Sequence, residues 1–562
     1  MKRRMRWLPY VTSALALVNL LIYFAIRPMW SGIIAIIGQA SPYIILSVII
    51  ALAVTSVTLL LVKKRCLAFE LAALILGLFF AAVEAYIMSV TIDSYRYFLR
   101  EGVYVLLAYA IIALALYLVF AFPKTKAYDH KWLRVTIALV LVLAALYAHT
   151  GLIPNSFTTI PVVYAVGDEY QIVFTTKVKG TAFVMIDGKE YNALYAGSRT
   201  SEDRVHKVSV PMEALDEAKS YTICTRAMYL RGPYCALQGK TLSQEYEWKG
   251  VDTTDGINYY VISDTHTDYN APAKAASYFG DKLDFLICCG DTANWIDRHM
   301  DACYFLKLAG KVTGGAIPVV YARGNHETKG VMADEYYKYV GSSGQSFYYT
   351  FRIQSIWGIV LDLGENHGDD WSEHFDSSRF DSYRAEQTEF LDSVIANADS
   401  EYNAEGVTYR IAVCHIPITF FYREDNAREY KEQWIERLEQ MKLTVCFGGH
   451  RHQLMYIDSE IEDGAELVYY EAYAGYDGQK ADGFMSNATF PNILVSRKCK
   501  VQQISSEEIY GDTEFIGLAV TVDTRTTTMR FTDVNGNVIS PILSPWFSDM
   551  SYGDEIVIYN VD

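Results

Sequence analysis

Long apolar runs dominate the first 152 residues of this 562-residue chain. Five of them approach the ~20 residues that a helix needs to cross a bilayer. The pattern predicts five transmembrane helices, at Trp7–Ile26, Tyr43–Val62, Cys66–Val90, Val103–Phe122 and Leu133–Leu152. The run 32–40 is too short to cross alone and is predicted to lie at the interface or in a turn.

Basic residues predict how these runs are oriented. They cluster before the first run, between the second and third, and beside the fourth and fifth, whereas the other loops carry less positive charge. Cytoplasmic loops hold the excess of Lys and Arg, so we expect a cytoplasmic N-terminus and an extracytoplasmic location for the residues after Leu152. A cleaved signal peptide over Met1–Ile26 is an alternative, and it leaves the later runs in the same orientation.

The next part of the chain changes to short runs of β-branched and aromatic residues. These predict strands at Tyr170–Thr175, Ala182–Ile186, His206–Pro211 and Ser220–Ala227. Turn signals such as Asp187-Gly188 lie between them. Several short strands with regular turns are typical of an all-β sandwich. We therefore predict a fibronectin-like β-sandwich over residues 153–250.

From residue 251 onward, apolar strand-like runs alternate with helical patterns, which predicts a layered α/β domain over 251–562. The predicted helices are Ala271–Phe279, Ile296–Leu308, Ser382–Asn397 and Arg428–Met441. Later strands are predicted at Leu467–Ala472, Asn492–Val495, Phe515–Val522 and Thr527–Thr532. The polar stretch 523–526 fits the turn of a closing hairpin.

The net charge divides near the same boundary as the apolar runs. Residues 1–152 carry a net charge of +9 and the whole chain −16, which leaves −25 for residues 153–562. An acidic domain has no electrostatic footprint for nucleic acid, so no nucleic acid partner is expected. An anionic substrate must then be attracted locally.

Five polar signals each follow an apolar run that predicts a buried strand. They are Asp264-Thr265-His266, Gly290-Asp291, Gly324-Asn325-His326-Glu327, His415 and Gly449-His450-Arg451-His452. Sites in layered α/β domains form at the carboxyl ends of strands, so these side chains are expected to meet. Imidazole with carboxylate suits zinc, manganese and iron. Seven candidate ligands exceed what one tetrahedral ion takes, which predicts two metal ions that share a carboxylate.

The ordered motifs resemble the calcineurin-like metallophosphoesterase superfamily, whose pattern is D-x-H, G-D, G-N-H-[DE], H and G-H-x-H. The resemblance covers about residues 257–455 and implies a two-sheet sandwich flanked by helices. It assigns Asp264, His266, Asp291 and His452 to one metal ion. It assigns Asp291, Asn325, His415 and His450 to the second, with Asp291 bridging. No ligand position is missing, which disfavours a degenerate, non-catalytic copy.

A β-module followed by such a domain also resembles the layout of purple acid phosphatases. That family, however, has D-x-G where this chain has Asp264-Thr265-His266, and a tyrosine where this chain has Asn294. We therefore predict the same order of domains as in purple acid phosphatases. We predict neither membership of that subgroup nor its coloured ferric site.

The resemblance implies a phosphoesterase with two divalent or mixed-valence ions of manganese, iron or zinc, and the apolar runs predict that it is anchored in a membrane. A hydroxide bridging the two metals would attack phosphorus, and His326 would protonate the leaving oxygen. Glu327 is a weaker candidate for orienting His326. The expected partners are a phosphorylated small molecule or lipid as substrate, and membrane lipids.

Other functions stay open at this point. The domain is also compatible with a phosphodiesterase or pyrophosphatase acting on envelope lipids or nucleotides. A sensor that binds phosphorylated ligands without turnover is an alternative from a different class, and a third is transport by the apolar runs. The complete ligand set favours an enzyme over a sensor. Glu70 and Glu84 are the acidic residues inside the runs, and without a cluster of charges there transport is disfavoured.

Overall fold

The computed structural model divides the chain into two compact units, Met1–Pro154 and Asn155–Asp562, and each is described here by itself. The structure describes residues 8–26, 41–61, 67–91, 155–195, 199–231, 236–371, 374, 377–422, 425–452, 454–457, 459, 464, 466–473, 476–486, 488–495, 515–539 and 555–559.

Three helices are described in the first unit: α1 (Leu8–Ile26), α2 (Ser41–Leu61) and α3 (Leu67–Thr91). They coincide with the first three predicted runs, and the other two runs lie outside the described residues. Asn19 of α1 donates a hydrogen bond of 2.8 Å from Nδ2 to the carbonyl oxygen of Gly77 in α3. Within the described residues no helix is both long and apolar enough to cross a membrane, so the transmembrane prediction finds no support there.

The second unit is built mainly of strands. In chain order the described strands are β1 (Val162–Val166), β2 (Glu169–Ile186), β3 (Lys189–Asn192), β4 (Leu194–Tyr195), β5 (Arg199–Thr200), β6 (Asp203–Pro211), β7 (Ser220–Arg231), β8 (Ala236–Glu247), β9 (Ile257–Ile262), β10 (Phe285–Cys288), β11 (Pro318–Tyr321), β12 (Tyr349–Ile353), β13 (Ile356–Val360), β14 (Tyr409–Val413), β15 (Phe420–Tyr422), β16 (Val445–Gly448), β17 (Met455–Ile457), β18 (Glu466–Tyr473), β19 (Tyr476–Met485), β20 (Asn492–Leu494), β21 (Ile516–Val522), β22 (Thr526–Asp533), β23 (Val538–Ile539) and β24 (Ile556–Tyr559).

Helices accompany these strands. The α-helices are α4 (Met212–Ala218), α5 (Ala271–Ala276), α6 (His299–Ala302), α7 (Tyr304–Thr313), α8 (Phe380–Ala396) and α9 (Arg428–Gln440). Short 3₁₀ helices cover Ser277–Lys282, His326–Thr328 and Ala333–Lys338. The predicted helix 271–279 changes from α to 3₁₀ at Ser277, and Gly280 has non-helical angles (φ 54°). The predicted helix 296–308 begins only at His299.

The strands that precede β9 continue the sheet of the following domain. β2 is one strand of 18 residues where two were predicted. Its first half pairs with β1 and β6, and its second half with β7 and β3. β1 in turn pairs in parallel with β11, so the order runs β23-β22-β21-β9-β10-β11-β1-β2-β7-β8. The predicted fibronectin-like sandwich is therefore not confirmed. The reason is that every residue of β1 is buried, which suits a strand inside a sheet rather than the edge of a separate one.

The α/β part is a sandwich of two sheets, as predicted. β9, β10 and β11 are parallel neighbours in the first sheet. The second sheet has the order β12-β13-β14-β16-β20-β17. Tyr259 of β9 and Tyr409 of β14 join the sheets through hydroxyl oxygens 3.2 Å apart. The Tyr259 ring also meets the edge of Phe447 of β16, at 6.0 Å between centroids. This buried aromatic layer holds the carboxyl ends of both parallel sets at the same side of the domain.

The closing hairpin forms where the sequence predicts it. β21 and β22 pair antiparallel over Ile516–Val522 and Thr527–Asp533. In the turn, the Asp523 carboxylate accepts hydrogen bonds of 2.8 Å from the backbone N–H groups of Arg525 and Thr526. β21 then pairs with β9, so the C-terminal strands complete the first sheet.

Candidate metal centre

Asp264, His266 and His452 form the first cluster of candidate ligands. Their ligand atoms all lie within 4.8 Å of one another. The Nε2 atoms of His266 and His452 are 3.1 Å apart. Nε2 of His452 is also 3.2 Å from Oδ1 of Asp264. Asp264 follows β9 and His452 follows β16, so the two sheets contribute to one cluster.

Asp291, His415 and His450 form the second cluster, and their ligand atoms also lie within 4.8 Å of one another. Nε2 of His415 lies 3.1 Å from Oδ2 of Asp291. Asn325 joins this side, because its Oδ1 is 3.1 Å from Nδ1 of His450. The structure thus brings all seven predicted ligands together. Each side of the site has four candidate ligands when Asp291 is counted on both sides.

Asp291 occupies the position between the clusters. Its Oδ2 atom is also 3.8 Å from Nε2 of His266 and 3.8 Å from Nε2 of His326. Burial disfavours the charged carboxylate, but His415, and then His326 and His266, hold the pKa of Asp291 well below its usual value. A carboxylate that stays ionised while buried suits a bridging ligand.

The neighbouring histidines respond to the same charges. Burial opposes protonation of His415, but the Asp291 carboxylate raises the pKa of His415 to about 10. Burial, and then His415, lowers the pKa of His450 far below its usual value. Metal ions bind neutral imidazole, so metal binding must release the proton of His415.

The backbone of the motif loops is unusual. Among described non-glycine residues, ten have positive φ angles, and six of those belong to the metal-site loops: Asp264, His266, Thr267, Asp291, His450 and His452. Each such residue costs on the order of 1–3 kcal/mol, a strain that concentrates at functional sites.

Two motif glycines permit a close approach of the loops. A Cβ at Gly324 would lie 2.1 Å from Oδ1 of Asp291, and one at Gly449 would lie 1.8 Å from Oγ of Ser263. The glycines before Asn325 and His450 are therefore required by packing.

The donor set fits divalent transition metals. Oδ1 of Asp264 and Nε2 of His415 are buried, and they face ligand atoms of His452 at 3.2 Å and of Asp291 at 3.1 Å. Buried imidazole and carboxylate atoms that converge in this way suit a metal ion. Four imidazoles, two carboxylates and one amide match zinc, manganese or iron.

Glu327 has a different role from the one predicted. It is fully buried, and Oε2 accepts the N–H groups of Asp291 (3.0 Å) and Gly324 (2.9 Å). Oε1 accepts the N–H groups of Thr292 (2.5 Å) and Ala293 (3.0 Å), and the Thr292 hydroxyl (2.9 Å). Both carboxylate oxygens thus accept hydrogen bonds from the loops that carry Asp291 and Asn325, and Glu327 holds these loops instead of orienting the His326 ring.

Asn294 is a site residue whose role sequence reasoning missed. Its Oδ1 lies 3.0 Å from Nδ1 of His266, and its carbonyl oxygen 2.9 Å from Nδ1 of His326. Asn294 therefore positions both rings, with the Nε2 atoms turned toward Asp291. The sequence signal for this role is the position of Asn294 three residues after Asp291, where purple acid phosphatases carry a tyrosine.

Glu365 is a second residue that was missed. It is buried, and Oε2 accepts a hydrogen bond of 3.0 Å from Nδ2 of Asn325. The Lys329 ammonium lies 3.4 Å from the same oxygen. This contact fixes the Asn325 amide so that Oδ1 faces His450. No motif marks Glu365, since it lies in a loop after β13.

The sequence predicts loops over residues 364–382 and 420–426 as walls of the substrate pocket, and both segments contain regular structure. The segment 420–426 begins with β15, which pairs with β19 because Phe420 and Phe421 are buried. The loop that starts at Gly364 ends at α8, which begins at Phe380. Tyr422 of β15 meets the His450 ring edge-on, with centroids 5.8 Å apart.

Comparison with known proteins agrees with this geometry. Residues 257–454 match the family model described as calcineurin-like phosphoesterase. These residues form a calcineurin-like phosphoesterase domain. The matched range includes all seven candidate ligands. The match confirms the prediction of a metal-dependent phosphoric ester hydrolase.

Similar solved structures have low identity to the chain. A purple acid phosphatase from yellow lupin (Lupinus luteus) seeds has 13% identity and a TM-score of 0.41, covering 70% of this chain and 75% of its own. PhoD has 10% identity and a TM-score of 0.38, covering 69% and 94%. GAP50, the anchor in the inner membrane complex of Plasmodium, has 11% identity and a TM-score of 0.32, covering 51% and 88%. No curated protein matches the chain.

Proposed function

We propose that this protein is a membrane-anchored phosphoesterase that uses two metal ions to hydrolyse phosphate esters on the extracytoplasmic side. The observation that carries the proposal is the pair of ligand clusters in which Asp291 belongs to one and lies 3.8 Å from His266 of the other. Paired sites of this kind occur in phosphatases and nucleases. The family match over 257–454 supports the same reaction class.

Each side chain has a defined task in this proposal. Asp264, His266 and His452 would hold one ion, Asn325, His415 and His450 would hold the other, and Asp291 would serve as a ligand common to both. The two ions would supply Lewis-acid activation of water and stabilise the negative charge that develops on the phosphoryl oxygens. Manganese, iron and zinc all suit these donors.

His326 is the proposed general acid. Its side chain is 34% exposed, so a substrate can reach it. Since Nδ1 faces the Asn294 carbonyl oxygen, the proton on that nitrogen is donated there and Nε2 faces the site. Nε2 of the protonated ring gives its proton to the leaving oxygen of the ester.

A phosphodiesterase or pyrophosphatase acting on envelope lipids or nucleotides uses the same metal pair, and a phospho-ligand sensor uses it without turnover. Complete ligands and a side chain placed for proton donation favour turnover. The acidic charge of residues 153–562 means that the metal ions must attract the anionic substrate locally.

The membrane anchor is proposed from the sequence and from the distribution of side chains in α1–α3. Polar residues lie inside, with Asn19 1% and Glu70 2% exposed. Large apolar residues lie outside, with Ile75 67% and Phe79 59% exposed. Apolar surface of this extent is typical of membrane contact. The excess of Lys and Arg before the first run supports a cytoplasmic N-terminus.

The activity is tested with a panel of phosphomonoesters, phosphodiesters and pyrophosphates on the full-length protein, with manganese, zinc or iron added. We expect hydrolysis that requires metal and is absent in an Asp291→Asn control. Metal-dependent binding of phosphate esters with no turnover for any substrate would instead establish the sensor. The location is tested by protease added to the outer face of sealed cells. Digestion of residues 153–562 is expected, and full protection would contradict the proposed orientation.

A further inference from the structure

A cavity of about 350 Å³ lies between strands β2 and β6 and the segment 337–345. Its volume is at the lower end of the range of small-molecule sites, roughly 300–1,000 Å³. The lining mixes apolar and polar groups, and none of the lining residues is a candidate metal ligand. The residues that line the cavity are therefore different from those that form the metal centre.

Lys207 of β6 provides an uncompensated positive charge in this cavity. Its ammonium donates hydrogen bonds to Oγ of Ser342, at 2.7 Å, and to the carbonyl oxygen of Tyr337. Both acceptors are neutral, and within the described part of the chain no carboxylate pairs with Lys207. Burial lowers the pKa of Lys207 to about 7. Lys207 is half-buried, and an ammonium held partly out of water without a counter-charge is unfavourable, so an anion in the cavity would reduce this cost.

Ser201 supplies a second feature that points to a ligand. It is 1% exposed and lines the cavity, and its hydroxyl lacks a hydrogen-bond partner among the described residues. Buried hydroxyls normally have a partner. Lys338 also lines the cavity, but Glu335 at 2.9 Å and Asp203 at 3.6 Å already compensate its charge. The cavity is therefore lined by the Lys207 ammonium, which has no counter-charge among the described residues, and by the buried Ser201 hydroxyl.

We propose that this cavity binds a small anion, in which a phosphate or carboxylate group pairs with Lys207 and accepts a hydrogen bond from the Ser201 hydroxyl. The exposed Ser209 and Gln345 at its lip suit hydroxyl groups on the rest of the ligand. The site is distinct from the phosphoester site, so its test does not depend on hydrolysis.

The first test reads Lys207 directly in the full-length protein. An amine-acylating reagent is applied at neutral pH and the acylated lysines are mapped by mass spectrometry. Inorganic phosphate, acetate and chloride are compared at equal ionic strength. We expect phosphate or acetate to slow acylation of Lys207 by about fivefold or more, with Lys311 at the surface unchanged. Protection by phosphate alone or acetate alone identifies the oxyanion, whereas equal rates in all three salts would overturn the proposal.

The second test measures binding of the same probes by calorimetry in an Asp291→Asn background, which removes metal-bound phosphate from the signal. Lys207→Met is expected to weaken binding roughly tenfold or more, the value of one charge-assisted hydrogen bond. Lys311→Met serves as the control and should change binding less than threefold, because Lys311 is exposed and does not line the cavity. Equal affinity of the Lys207→Met variant and its parent would refute the site.

Discussion

Glu327 offers the sharpest test of how the metal centre is held. Its carboxylate accepts five hydrogen bonds, four of them from backbone N–H groups of the loops that carry Asp291 and Asn325. Glu327→Gln preserves the shape but replaces one oxygen with an NH₂ group. The least costly orientation leaves the amide nitrogen facing the N–H groups of Asp291 and Gly324, which then lose their acceptor.

The size of the effect follows from that count. A buried donor left without an acceptor costs about 1–3 kcal/mol, so two such donors cost about 2–6 kcal/mol. A folded domain is stable by only about 5–15 kcal/mol, so this is a large fraction. We also expect metal content to fall, because Asp291 would no longer be held at the centre.

The assay compares urea unfolding and metal content of the Glu327→Gln and Glu386→Gln variants with the parent. Glu386 lies exposed on α8, so its substitution should change the free energy of unfolding by less than about 0.5 kcal/mol. If Glu327→Gln retained parental stability and metal content but lost activity, the loop-holding role would be refuted and a direct role in orienting His326 would be favoured.

Three further predictions concern the centre itself. Asp291→Asn should abolish hydrolysis and reduce metal content in elemental analysis while far-UV circular dichroism stays unchanged; full activity with two metals bound would contradict the bridging role. His326→Ala should reduce alkyl phosphate hydrolysis by roughly 10²–10⁴-fold but p-nitrophenyl phosphate hydrolysis far less, with metal content unchanged, since a phenolate needs little protonation. Equal losses for both substrates would indicate that His326 only braces its loop. Glu365→Gln should weaken metal binding roughly 10–100-fold in a metal titration, because Asn325 loses its orientation, and an unchanged titration would exclude that role.

Much of the centre was predictable because the sequence carries it in short, ordered pieces. Asp264, Asp291 and His415 each follow a continuous apolar run, and such runs become buried parallel strands whose carboxyl ends meet. The ligand chemistry then depends on residue type alone. The closing hairpin was predictable for a similar local reason, since Asp523 caps its own turn.

What the tertiary structure decided depends on contacts between distant segments. β1 joins the next sheet because it pairs with β11, more than 150 residues later in the chain. A strand of a separate sandwich would have the same composition, so the sequence does not distinguish the two arrangements. The roles of Glu327 and Glu365 follow from which donors surround each carboxylate, and a carboxylate serves equally well as ligand, base or anchor until its neighbours are known. Residue type and order along the chain therefore determined the kind of chemistry, while long-range pairing and burial decided which side chains hold the metal-site loops and which face the metal centre.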